Sequence, residues 1–348
     1  MLPSIMRLPV LPIQKIVHDL STETKLDSQP ERIDYLDGWR GMAIALVLVD
    51  HFFNLPGVDS GRFGVDVFFV LSGMLMSNIL FVKRSSLGIF YKRRISRIIP
   101  TFYLYLFVIC FASYFSSNHL DYKSIVSTFL FMRTYLPVSP DMWSDSLPIG
   151  HLWSLNIEEH SYIIMSLLTL ILIINKREWF ILIPLGLISI LFYIAYYHFP
   201  SIAPHSFEIR TESQMAFIML SAGYFLVKDK FKQYIRPWMI PAAFAVASLC
   251  YFNGEGLWSY VLAPALLVFT IVHLGQASPK MLKLLATKPL RMLGRWSYSL
   301  YLWQQPFYKA IGIHHLAVGH FIMAMAVGVT SYYCFEEPVR EWLNSRWN

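Results

Sequence analysis

Arg40 and His51 stand near the two ends of one apolar stretch, Gly38 to Asn54, GWRGMAIALVLVDHFFN. Read as helix, their separation gives about 16 Å of rise and leaves them about 20° out of phase. Guanidinium and imidazole then share one face, three turns apart. A guanidinium matches phosphate or carboxylate, and a neutral imidazole can take a proton from a hydroxyl near neutral pH. Ionisable groups in a membrane-length segment are costly and point to function. A plainer reading stands beside this one: Arg40 snorkels to the headgroups and a neighbouring helix caps His51.

Four further stretches carry groups able to do chemistry. In GRFGVDVFFVLSG, Asp66 sits at the outer end of an apolar helix. It either favours the helix N-terminal dipole or orients His51 on the preceding span. In YKRRISRIIP, Arg94 and Arg97 are an i,i+3 pair, read either as cytoplasmic anchoring or as a fork for a phosphorylated cofactor. In HLWSLNIEEHSY, Glu158 and Glu159 lie between His151 and His160, on the outer side where His51 ends. A metal site from His151, Glu158 and His160 is the lesser reading, because H-E-x-x-H is absent. The fourth, GRWSYSLYLWQQP, is a polar stripe ending at Pro306, which should kink its helix and free backbone acceptors. The chain's FEEPVR reads as a structural stop. There is no P-loop, dinucleotide glycine fingerprint, G-x-S-x-G elbow or D-x-D diphosphate motif.

The elements that must position these groups follow from composition. The chain has 348 residues, 55% apolar and 15% charged, against roughly 25% charged in soluble domains. Its apolar residues fall in blocks near the length that crosses about 30 Å of hydrocarbon. The expected fold is all-α: a polytopic transmembrane bundle of about ten spans, with both termini cytoplasmic. The spans read as 40–54, 64–82, 98–115, 155–175, 179–198, 213–227, 237–253, 256–274, 296–313 and 316–335. With that orientation, all of the 29 Lys and Arg fall inside except Arg62, Lys123, Arg133, Arg210 and Lys309. The net charge of +7 is therefore an insertion feature rather than a nucleic-acid footprint. Residues 1–32 read as a cytoplasmic tail without a secretory leader, with a weak interfacial helix from Leu8 to Val17. The bundle occupies 33–340, and 341–348 is a second cytoplasmic tail. Residues 123–136 suggest a helix on the membrane surface. Cys110, Cys250 and Cys334 are widely spaced within spans, so no disulfide framework or zinc ribbon is expected.

Taken together, the stretches resemble the integral-membrane acyltransferase family three, whose members O-acylate surface sugars and other acceptors. The Arg40–His51 pair, GRFGVDVFFVLSG, YKRRISRIIP, HLWSLNIEEH, YSLYLWQQP and FEEPVR look like its motifs, in family order across most of the chain. The resemblance implies that His51 acts in acyl transfer with Arg40, and that Arg94 and Arg97 face a cytoplasmic acyl-CoA, usually acetyl-CoA. It puts Glu158 at the family's W-S-L-x-x-E carboxylate. One departure stands out: relatives often have histidine after Leu-Trp in the ninth span, and here it is Gln304. The hydrolase domain fused to some relatives is not expected, which resembles the stand-alone subgroup.

The implied enzyme lies in a bacterial inner membrane and moves an acyl group, without a metal, to a hydroxyl of a surface or lipid-linked carbohydrate. Polysaccharide-synthesis proteins would be its partners, and nucleic acid would not. The spacing permits CoA phosphates near Arg40, Arg94 and Arg97, with the pantetheine arm running along the first helix to His51. Glu158 or Asp66 would hold the His51 tautomer. The alternative is a transporter or flippase for a lipid-linked glycan, since intramembrane charges also mark transport pathways.

Overall fold

The computed structural model describes residues 33–115, 121–137, 147–171, 177–252, 256–314 and 317–347. The chain divides into two units, Met1–Asp34 and Tyr35–Asn348. The expected tail over 1–32, with its Leu8 to Val17 helix, lies outside the described residues, and so does Lys176.

Among the described residues every regular element is helical, and Val58 and Phe252 form an isolated antiparallel bridge. The long helices are α1 (Asp34–Phe53), α2 (Ser60–Ser77, continued by a π turn Asn78–Val82) and α3 (Leu87–Phe115). A short α4 (Tyr122–Phe129) and a 3-10 turn (Gly150–Leu152) lead to α5 (Trp153–Ile171) and α6 (Trp179–His198). Next come α7 (Thr211–Gln214), α8 (Ala216–Val227), α9 (Met239–Leu249), α10 (Leu257–Val261), α11 (Ala263–Val272) and α12 (Pro279–Leu285). The last are α13 (Lys288–His314), α14 (Ala317–Ser331, with a π turn Tyr332–Glu336) and α15 (Glu337–Trp347).

Four of these helices, counted among the described residues, are long and apolar enough to cross a membrane: Ser60–Val82, Leu87–Phe115, Trp179–His198 and Ala317–Trp347. Their outer faces suit hydrocarbon. Phe107, Phe111 and Phe115 on α3, and Phe180, Leu187 and Leu191 on α6, are all exposed. In water such continuous apolar faces would be sticky patches. Other expected spans are shorter or more charged. Helix α1 carries Asp34, Asp37, Arg40 and Asp50, and α13 carries Lys288, Arg291, Arg295 and Lys309. The 256–274 span is two helices, with Pro264 in the first turn of α11, where a missing N–H is harmless.

Several sequence expectations need correcting. The basic YKRRISRIIP stretch is not a loop but the first turns of α3, so Arg94 and Arg97 ride inward on a helix that starts eleven residues before the expected span. The surface helix expected over 123–136 is confined to Tyr122–Phe129, capped by Asp121. FEEPVR is not a stop, because helix continues through it to Trp347. The segment expected as a tail from 341 is helical as far as Trp347, and Asn344 accepts a hydrogen bond from Ser96 of α3 at 2.9 Å.

Two buried apolar clusters form the interior. The larger is built on α1, α2, α5, α8 and α11, and includes Trp39, Val47, Phe69, Tyr162 and Phe217. The smaller joins α3 to residues 147–155 and α13 through Phe102, Tyr105, Leu152 and Leu302. Helices α1 and α13 touch backbone to backbone: a Cβ on Gly294 would lie 1.9 Å from the Asp37 carbonyl oxygen, and one on Gly41 1.9 Å from that of Leu290. Only glycine permits that approach. It fixes the depth of Arg40 and His51 against the polar stripe of α13.

Candidate functional site

Where the two clusters meet, a cavity of about 80 Å³ opens between α1, α2, α3, α5 and α13. A water needs about 10–15 Å³ by this measure, so there is room for a handful of waters or one small polar group. Arg40, Arg94, Arg97 and Glu158 all line it. Four of the residues singled out in the sequence, from three separate motifs, therefore share one space. Ser72, Ser154, Ser297, Tyr298 and Tyr301 add hydroxyls, and Phe68, Phe69, Leu75 and Met76 add an apolar wall.

The three guanidiniums are not equivalent. Arg94 is neutralised: its Nη2 lies 2.7 Å from Glu158 Oε2 and its Nε 3.0 Å from Glu159 Oε1. The Arg94 guanidinium also stacks 4.0 Å over the Tyr162 ring. Glu158 accepts from Ser72 at 3.0 Å and from Tyr162 at 3.1 Å. Among the described residues Arg40 has Asp37 as its carboxylate contact, at 4.0 Å, and no carboxylate lies within ion-pair distance of Arg97. Arg40 and Arg97 are thus the cations left to meet an anion. The Arg94–Glu158 contact also corrects the reading that set these residues on opposite faces of the membrane. Arg94 is seven residues into α3 and Glu158 five into α5, so each has entered the bundle far enough to meet the other.

His51 lies outside the cavity lining and has its own partner. Its Nδ1 is 3.0 Å from Oε1 of Gln304 on α13, and its ring stacks on Tyr308 at 4.5 Å between centroids. The next residue, Gln305, accepts from His151 Nδ1 and from the His151 backbone N–H. Tyr301 joins this layer to the cavity wall: Ser154 donates to its hydroxyl at 2.7 Å, and the hydroxyl donates to the His151 carbonyl. Neither Asp66 nor Glu158 orients His51, contrary to the sequence expectation. Asp66, 1% exposed, accepts from Arg62 Nε with both oxygens at 3.1 Å and from Tyr251 at 2.8 Å. Arg62 itself lies over the rings of Trp153 and Tyr260. This reads as a structural lock on α2.

The lesser metal reading fares no better: His151 bonds to Gln305, Glu158 to Arg94, and His160 to Thr211 at 2.7 Å. Among the described residues no group of three His, Cys, Asp or Glu is placed to hold a metal ion. Sequence reasoning also missed Glu336. It is 3% exposed and accepts from Ser299 at 2.6 Å, and the signal was its position in a helix that does not stop.

A bundle that gathers three arginines into one cavity, with a glutamine-held histidine three turns further along α1, has the parts of a membrane-embedded transferase. The chain belongs to the acyltransferase family whose model, described as "Acyltransferase domain", matches residues 33–335. Among curated proteins it is similar to "O-acetyltransferase OatA" of Staphylococcus aureus (strain NCTC 8325 / PS 47), at 26% identity over 90% of this chain and 58% of the relative. It is also similar to "Putative O-acetyltransferase SACOL0978" of Staphylococcus aureus (strain COL), at 29% identity over 77% of this chain and 49% of the relative. The chain spans about half the length of these curated relatives. No solved structure matches it.

Proposed function

We propose that this protein is a multi-pass O-acyltransferase of a bacterial inner membrane. It moves an acyl group, acetyl by its relatives' names, from cytoplasmic acyl-CoA to a hydroxyl of a surface or lipid-linked carbohydrate. About ten spans with both termini cytoplasmic remain the topology that the Lys and Arg distribution favours.

The observation that carries the reading is the cavity shared by Arg40, Arg94, Arg97 and Glu158, with Arg40 three turns along α1 from His51. Donor phosphates go to Arg97, which has no close carboxylate among the described residues, and to Arg40, whose carboxylate contact, Asp37, stands off at 4.0 Å. Arg94 instead fixes Glu158 and Glu159, and so holds α3 against α5. The acyl thioester then has about 16 Å to travel along α1 to reach the imidazole. There His51 takes the proton of the acceptor hydroxyl, and the oxygen attacks the thioester carbonyl. The carbon–sulfur bond breaks, and the departing thiolate receives the proton. The products are an ester and free CoA.

The experiment uses purified protein in detergent or proteoliposomes with radiolabelled acetyl-CoA and a panel of lipid-linked and soluble oligosaccharides. Wild-type protein should make a product whose label is released as acetate by mild base. His51→Ala should fold yet make none. Full turnover by that variant sinks the mechanism, and glycan translocation across vesicles without acylation favours the transporter reading instead.

A further inference from the structure

Gln304 departs from the residue expected at its position, and the fold puts it to a specific use. It is fully buried on α13, with Oε1 3.0 Å from His51 Nδ1. With the Gln304 amide in this orientation its carbonyl oxygen accepts and Nδ1 carries the hydrogen, while the Gln304 Nε2 is buried without a protein partner. In a neutral imidazole the other nitrogen, Nε2, then holds the lone pair. We propose that Gln304 is a positioning residue for acyl transfer: it fixes His51 in the Nδ1–H tautomer and leaves Nε2 as the atom that takes the acceptor proton. The catalytic use of this tautomer rests on the acyltransferase reading above, while the tautomer itself does not.

Three features hold the pair in register. The Gly294 contact with the Asp37 carbonyl pins α13 to α1 below the site. Tyr308, one turn beyond Gln304, covers a face of the His51 ring and blocks its rotation. Gln305 repeats the same bond with His151, which anchors this turn of the helix from its other side. The other titratable groups facing the imidazole are Asp50 on α1, Asp59 ahead of α2, His151 before α5 and Tyr308 on α13. Among the described residues none of them hydrogen-bonds to either ring nitrogen of His51, so the choice between nitrogens falls to Gln304.

The test reads the ring directly. Full-length protein labelled with ¹⁵N-histidine is reconstituted in lipid, and the His51 signals are assigned by their loss in His51→Ala. Wild-type His51 should give a protonated Nδ1 and an unprotonated Nε2 without any substrate present. Gln304→Met, close in size but lacking the acceptor, should lose that preference. Its kcat should fall on the order of 10²-fold, with KM for acetyl-CoA within about twofold of wild type. Gln304→Glu keeps an acceptor and should keep the tautomer. A wild-type His51 protonated on Nε2 overturns the proposal, and so does Gln304→Met with unchanged ring signals and unchanged kcat. Absence of any wild-type turnover would count against the acyltransferase reading, not against the wild-type ring signals, which need no substrate.

Discussion

Replacing Arg94 by methionine is the sharpest probe of how the cavity is held together. In the sequence, Arg94 reads as a surface phosphate fork, and its loss would then weaken donor binding alone. In the structure its side chain is only 10% exposed and contacts two carboxylates, themselves 14% and 17% exposed. Removing one partner of such a buried pair leaves uncompensated charge and costs about 3–5 kcal/mol. Loss of the stack on Tyr162 adds roughly 1 kcal/mol. At about 2 °C per kcal/mol for a chain of this size, the unfolding midpoint should fall by roughly 8–12 °C. Thiol reactivity of Cys110 and Cys250 during heating in detergent offers a direct readout, since both are free and partly buried. Adding Glu158→Gln and Glu159→Gln to Arg94→Met should restore most of the loss, because the stranded charges are then gone. An Arg94→Met protein that melts with wild type but binds acetyl-CoA poorly would refute this account.

Other outcomes follow from the same geometry. Arg97→Met should leave the melting temperature unchanged or slightly raised, and raise KM for acetyl-CoA, because Arg97 has no close carboxylate to strand; an unchanged KM would remove it from the donor site. Asp66→Asn should destabilise by about 3 kcal/mol through the stranded Arg62, while the folded fraction keeps its kcat; a selective loss of kcat would return Asp66 to the chemistry. Gly294→Ala should sharply reduce folded protein, since its methyl would overlap the Asp37 carbonyl by well over 1 Å; near-normal accumulation and stability in membrane fractions would show that α1 and α13 can move apart.

Much of the site was legible because its parts are ionisable groups in apolar surroundings. Arg40, Arg94, Arg97 and Glu158 stand out against their neighbours, and burial gives such groups few places to go. Their partners were harder to read. The Arg94–Glu158 contact depends on how far each helix starts outside its apolar block, and hydropathy marks only the block. Gln304 was visible as a departure from pattern, but its bond to His51 depends on the α1–α13 register, set by Gly41 and Gly294 from opposite ends of the chain. Asp66 carries two readings in the sequence because span order offers His51 as a neighbour. Its actual partner, Arg62, is one helical turn away, an i,i+4 relation that the sequence did display.

The cavity's place at the meeting of two separately packed cores bears on how large a group it can admit. A polar contact, Ser154 with Tyr301, helps close the seam there. Parting them would lengthen the chamber while each hydrophobic core keeps its own packing. The size of the group admitted would then be written in that joint, and a relative could enlarge its chamber by changing it and leaving the rest of the bundle alone.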